Sequence, residues 1–174
     1  MNKSILIAII AAAVVVPATV YAVSPYFTET MIDEPSPIAE QESMEDDDAM
    51  MEKDDAMMEK DDVAMMEKEL SGGFQGAGDG IHNASGKATV LYLEDGSAVL
   101  RLENFRVTNG PDLYIYLSTD RSASDFVDLG RLKANSGNQN YELPDGVDLS
   151  KYHNVIIWCK SFSVYFGGAE LGSA

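Results

Sequence analysis

The chain divides into segments of such different composition that only about its last hundred residues can build a packed core. Residues 4–23 are uncharged and strongly apolar, whereas residues 41–70 hold thirteen acids against three lysines. Neither composition mixes apolar and polar residues in the way that a globular core needs. The sequence therefore predicts one domain, over residues 71–174, that carries twelve acids and eight bases.

The apolar segment predicts export. As a helix, residues 4–23 would span about 30 Å, which is enough to cross a bilayer. Val20 and Ala22 are small enough for a cleavage site, so residues 1–23 are either a signal peptide or an N-terminal membrane anchor. Lys3 favours retention of the N-terminus in the cytoplasm, so both alternatives place the rest of the chain outside, anchored at the cell surface or secreted. A lipoprotein anchor is excluded because the one cysteine, Cys159, is far downstream.

The acidic segment predicts a linker. From residue 43 to residue 68 a unit of seven residues repeats with one slip to eight, but the second apolar position that a coiled-coil heptad needs falls on Asp47, Asp54 and Asp61. No coiled-coil seam can form on such a repeat. We expect residues 24–70 to be a disordered, solvated spacer that holds the domain on the order of 40 Å from the membrane. The alternative is that the paired methionines at 50–51, 57–58 and 65–66 bind copper(I) through their soft thioethers.

From residue 71 onward, short alternating runs are broken by Gly, Asn and Pro. Alternation places Ala98, Leu100 and Leu102 on one face of a strand, toward the core. The pattern predicts an all-β domain, an antiparallel β-sandwich or barrel of about seven to eight strands. The clearest predicted strands are 88–93, 98–105, 113–118, 126–132, 140–143, 155–162 and 164–171.

The sequence lacks the motifs or composition that are typical of several classes of function. The domain has no cluster of Lys and Arg, which argues against nucleic acid as a partner. No hydrolase motif occurs, and whether the protein is an enzyme stays open. A single cysteine precludes a disulfide within the chain. Asn83-Ala84-Ser85 is a glycosylation sequon, and Asn83 is its candidate acceptor.

Cys159 has two interpretations. It shares a strand face with Val155 and Ile157, which favours a buried, inert core residue. An unpaired cysteine outside the cell is unusual, however, which favours a functional thiol or metal ligand. His82 is the only histidine that the predicted strands leave free to join Cys159 at a metal.

The same stretches carry a resemblance. Residues 100–118, 129–133, 137–141 and 155–166, with Phe74, His82, Gly86 and the Trp158-Cys159 pair, resemble the DM-thirteen domain family over nearly all of residues 71–174. That family consists of extracellular β-rich domains, some found beside DOMON domains, for whose cysteine an electron-transfer role has been proposed. The resemblance implies that Cys159 would be the working residue, as a bare thiol or as a ligand of a prosthetic group such as haem.

Two functions follow from these observations. The first is a membrane-tethered or secreted redox module centred on Cys159, with His82 as a second ligand for haem or copper. Trp158, Tyr114 and Tyr116 would lie near that site or line it. The second is a non-catalytic binding or structural module at the cell surface, for a sugar or protein ligand, with Cys159 in the core. Burial of the thiol separates the two, because a sealed thiol favours the second and an accessible one beside His82 favours the first.

Overall fold

The structure, a computed structural model, describes residues 3, 15–16, 29–38 and 70–173. Residues 70–173, which form the domain, are all-β and contain no helix. The predicted membrane segment and the acidic repeat lie almost wholly outside the described residues. Among the residues that are described, no helix has the length and hydropathy needed to cross a membrane.

Two open sheets face each other as a sandwich, and neither closes into a barrel. The strands are β1 Met31–Asp33, β2 Leu70–Gly73, β3 Gln75–Gly76, β4 Ala84–Tyr92, β5 Ala98–Val107, β6 Leu113–Ser118, β7 Phe126–Arg131, β8 Ser136–Glu142, β9 Asn154–Cys159, β10 Val164–Glu170 and β11 Gly172–Ser173. The six-stranded sheet has the order β1-β8-β5-β4-β2-β11, and the five-stranded sheet has the order β3-β10-β9-β6-β7. All of these pairings are antiparallel except that of β1 with β8.

All seven predicted strands are present. The prediction for β9 was wrong at its end, because the strand stops at Cys159 and residues 160–163 turn into β10. The four strands that the sequence did not predict, β1, β2, β3 and β11, have two to four residues each. Such short segments carry too few positions to show alternation.

The core lies between the sheets and is built from the faces that alternation predicts. Leu100 and Leu102 of β5, Ile115 and Leu117 of β6, and Ile157 of β9 are all fully buried in one cluster. Side chains at every second position of a strand share a face, so one face of each long strand meets the facing sheet.

Residues 29–38, which we call the strap, pack on the domain, and the prediction of an unpacked linker was wrong for them. β1 lies beside β8, with Met31 opposite Ser136. The Glu34 carboxylate forms an ion pair with Lys133 at 2.8 Å and accepts the Asn140 N–H at 2.6 Å. The chain therefore reaches the domain before the acidic repeat begins.

The strap also covers a buried charge. Arg101 is 7% exposed, and its Nη1 donates to the carbonyl oxygens of Glu34 at 3.3 Å and Pro35 at 3.0 Å. The close approach of β1 to β8 depends on Gly137, which has φ +103°. A Cβ at this position would lie 1.8 Å from the Ile32 carbonyl oxygen. Backbone of this kind is open to glycine at little cost.

The sandwich has two distinct ends. Cys159 is opposite Leu113 at the start of β6, and Arg106 near the end of β5 is opposite Ser136 at the start of β8. The Cys159 end therefore gathers the loops 77–83, 108–112, 132–135 and 160–163. The far end gathers the loops 93–97, 119–125 and 143–153.

Candidate functional site

Cys159 is sealed in the core. It is the last residue of β9, it is 1% exposed, and it belongs to the same buried cluster as Val155 and Ile157. Within the described part of the chain its thiol makes no side-chain hydrogen bond. In this packing the sulfur cannot meet a bulky reagent, so reaction at Cys159 requires the end of β9 to open.

His82 is held by a carboxylate on its own loop. Its Nδ1 lies 2.5 Å from Asp79 Oδ2, while Asp79 Oδ1 accepts the backbone N–H groups of His82 at 2.7 Å and Ile81 at 2.9 Å. The His82 backbone N–H, the His82 ring and the Ile81 N–H lower the pKa of Asp79 to about 2. Since an ionised carboxylate only accepts, the contact requires a proton on Nδ1 of the His82 ring.

A phenyl ring lies between His82 and the core. The rings of His82 and Phe166 have centroids 4.1 Å apart at an interplanar angle of 49°. Phe166 is buried in the cluster that contains Cys159. His82 and Cys159 are therefore at the same end of the sandwich, but among the described residues no hydrogen bond joins them.

The donor set at this end is poor for the cofactors that the sequence suggested. No group of three or more His, Cys, Asp or Glu side chains suited to a metal occurs among the described residues. A sulfur-ligated haem needs an open face above the sulfur, and core side chains enclose Cys159. Cys159 therefore offers no open ligand position to haem or copper in this packing. A metal site at His82 and Cys159, which would need the end of β9 to open, stays a prediction.

The aromatic residues that the sequence suggested for the site, Trp158, Tyr114 and Tyr116, come together, but on the opposite side of β9 from the Cys159 thiol. Trp158 is opposite Tyr114 of β6 and also opposite Tyr165 of β10. We call Tyr114, Trp158 and Tyr165 the aromatic row. Tyr114 and Tyr116 have ring centroids 6.2 Å apart. All of them lie on the outer face of the five-stranded sheet, since side chains alternate along a strand.

Neighbouring side chains cover parts of this face. Phe126 stacks on Tyr116 with centroids 4.2 Å apart, and Lys160 Nζ lies 4.5 Å from the centroid of Tyr114. Tyr116 is 1% exposed; this burial and the nearby Asp128 carboxylate raise its pKa to about 12. Tyr116 is thus a packing residue, whereas Tyr114, Trp158 and Tyr165 are only half-buried.

Asp79, Phe166 and Tyr165 were missed by the sequence analysis. Asp79 stands three residues before His82 in a glycine-rich loop, a spacing that could have suggested a local carboxylate partner. Tyr165 and Phe166 gave a weaker signal, because the register of β10 shifts between Tyr165 and Gly167 and the alternation is broken there.

Asn83 is exposed at the Cys159 end. Its backbone N–H donates to Thr108 Oγ1 at 3.0 Å, while the next two residues of the sequon, Ala84 and Ser85, already belong to β4. Exposure is compatible with modification, and glycosylation at Asn83 stays a prediction.

Comparison with known proteins gives one result. A protein-family model described as "Electron transfer DM13" matches residues 77–171. The matched range begins in the loop that holds His82 and ends at Leu171, so it contains Cys159, Phe166 and the aromatic row. No curated protein and no solved structure matches the chain significantly.

Proposed function

The chain belongs to the DM13 family, and we propose that it is an exported electron-transfer protein in which Cys159 is the redox-active residue. The family's description supports the class of function. One observation supports the residue: the only cysteine of the chain ends β9, directly before the turn 160–163, so a local opening of that turn would expose it.

One-electron oxidation of a bare thiol needs one acceptor for the electron and another for the proton. Removal of one electron from Cys159 breaks the S–H bond, leaves a thiyl radical and releases a proton. The electron passes to a one-electron acceptor on a partner protein, and the proton passes to solvent when the turn opens. Trp158, the residue directly before Cys159, lies opposite Tyr114 on the outer face of the sheet, so the surface closest to Cys159 along β9 is aromatic.

Export is part of the proposal. Residues 1–23 would be a signal peptide or membrane anchor, and the domain would lie at the cell surface or be secreted. Its partners would be the membrane through residues 4–23 and a redox partner outside the cell.

A second function is favoured by the burial of Cys159. A thiol that is 1% exposed behaves as a core residue, and the aromatic row then stands out as the surface feature of the five-stranded sheet. In this alternative the domain binds a sugar or protein ligand at the cell surface by stacking on Tyr114, Trp158 and Tyr165, and no redox chemistry takes place.

Absorption spectra and voltammetry of the full-length native protein distinguish the two functions. Spectra are taken of the oxidised and dithionite-reduced protein, beside Cys159→Ser and the smaller Cys159→Ala. A spectral change or voltammetric wave that both variants lose supports electron transfer at Cys159. A colourless, redox-silent protein whose thiol resists alkylation until it is unfolded refutes it and leaves the binding function, for which Trp158 fluorescence reports added ligand.

A further inference from the structure

The chain enters the domain at the Cys159 end. Met31 is opposite Ser136, and the Glu29 carboxylate lies 3.8 Å from Nη1 of Arg106, near the end of β5. Only residues 24–28 separate the apolar segment from Glu29. A fully extended chain covers at most about 3.5 Å per residue, so this end of the sandwich lies within about 20 Å of residue 23.

The most exposed large apolar side chains are found at the same end. Among the described residues, Met31 is 77% exposed, Ile81 is 71% exposed and Phe162 is 70% exposed. At the far end the most exposed aromatic residues, Tyr92 and Phe126, reach only 40% and 42%. The Cys159 end therefore exposes more of its large apolar side chains than the far end does, and exposed apolar surface of this kind favours contact with an apolar partner.

Ile81 and Phe162 belong to loops that are held in place by hydrogen bonds. The Ile81 N–H donates to Asp79 and the Ile81 carbonyl accepts from Thr108 Oγ1 at 3.4 Å. The turn that carries Phe162 is held to Asp112, whose Oδ2 accepts from Ser161 Oγ at 2.8 Å. Ile81 and Phe162 are therefore presented to the outside by hydrogen-bonded turns.

The loops at the two ends of the sandwich also differ in charge, and those of the far end are the more acidic. The loops of the far end hold six acids and two bases in addition to His153, whereas those of the Cys159 end hold two acids and two bases in addition to His82. The described residues on either side of the acidic repeat lie toward the far end of the sandwich. Before the repeat, Pro37 lines a depression together with Leu93 and Glu142. After the repeat, Ser71 is opposite Thr89 of β4. An anionic bilayer surface repels acidic groups within about 10 Å, so the far end is the one that it disfavours.

From these observations we infer that the Cys159 end of the sandwich faces the lipid bilayer, with Met31, Ile81 and Phe162 entering the interface between headgroups and acyl chains. The inference rests on the membrane anchor at residues 4–23 proposed above, and it adds an orientation. The redox partner that reaches Cys159 would then be one that lies at the membrane surface.

Quenching by brominated lipid measures this orientation in the full-length protein. Trp158 is the only tryptophan, so Trp158→Phe gives a background without tryptophan emission. Into it one places Phe162→Trp at the Cys159 end or, as the matched control, Tyr92→Trp at the far end. Each protein is reconstituted into phosphatidylcholine–phosphatidylglycerol vesicles with and without bromine on the acyl chains, and flotation first establishes that the protein is bound.

The inference predicts that the Phe162→Trp variant loses roughly half or more of its emission on bromination, because interfacial side chains lie about 5–10 Å into the headgroup–acyl boundary. The Tyr92→Trp variant should keep its emission, and adding Ile81→Ser to Phe162→Trp should weaken the quenching. A protein that does not float overturns both the anchor and the orientation. A protein that floats while Phe162→Trp stays unquenched, or while both sites are quenched equally, overturns the orientation alone.

Discussion

Gly137→Ala should detach the strap from the domain. The new Cβ would lie 1.8 Å from the carbonyl oxygen of Ile32, which belongs to the backbone of β1 and cannot rotate away. β1 must therefore move. Its movement separates Glu34 from Lys133 and removes the two carbonyl acceptors that the strap provides to Arg101.

The size of the effect follows from these contacts and from a control. Gly130 has φ +105°, close to the +103° of Gly137, but a Cβ there meets nothing within 4 Å. Gly130→Ala therefore bears the backbone strain alone, about 1–3 kcal/mol. Gly137→Ala adds the loss of a partly exposed ion pair, about 0.5 kcal/mol, and the loss of acceptors for the buried Arg101, about 1–3 kcal/mol. We expect Gly137→Ala to lower the free energy of unfolding by about 2 kcal/mol more than Gly130→Ala does.

Urea unfolding followed by Trp158 fluorescence gives the two free energies of unfolding. Amide exchange gives a local readout, because the Asn140 N–H is held by the Glu34 carboxylate and should exchange faster when the strap leaves. Equal destabilisation by the two variants, with exchange at Asn140 unchanged, would refute the claim that the strap is packed on the domain.

Three further predictions concern the site. Cys159→Ser should lower the free energy of unfolding by about 1–3 kcal/mol, since it buries a hydroxyl without an evident partner; a urea midpoint equal to that of the native protein would contradict this. Phe126→Ala should uncover Tyr116 and bring its pKa down from about 12 toward its ordinary value of 10, whereas Phe126→Leu should not; ultraviolet titration of the phenol measures this, and an unchanged pKa would show that the strands alone bury Tyr116. The pKa of Asp79 is lowered to about 2 in the folded state, so its contribution to stability is complete above the ordinary carboxylate pKa of about 4 and is lost as the pH falls through 2. Asp79→Asn should remove that part of the pH dependence, and parallel curves of urea midpoint against pH for the two proteins would contradict it.

Packing of the strap on the domain is the largest difference between the structure and the sequence-based expectation for residues 24–70. The sequence suggested a single spacer from residue 24 to residue 70, because Pro35, Pro37 and the acids around them are typical of a linker. Glu34 nevertheless pairs with Lys133, 99 positions later. Because an acid in a linker and an acid that pairs with a distant lysine have the same local sequence, local composition could not distinguish them.

The sequence by itself determined the seven longer strands and, for β5, β6 and β9, which side of the strand is buried. Side chains alternate across a strand with a period of two, so burial is encoded locally in β5, β6 and β9. For that reason the burial of Cys159 beside Val155 and Ile157, and the position of Trp158 on the opposite face, were both predictable.

Only the tertiary structure decided which distant segments meet. The contact of His82 with Phe166 joins residues 84 positions apart, and the pairing of β1 with β8 joins residues 105 positions apart. Neither contact leaves a periodic trace, because each depends on the order and register of strands in a folded sheet. The gathering of Met31, Ile81, Phe162 and Cys159 at one end has the same origin, since loops that are far apart in sequence become neighbours when antiparallel strands bring their ends together.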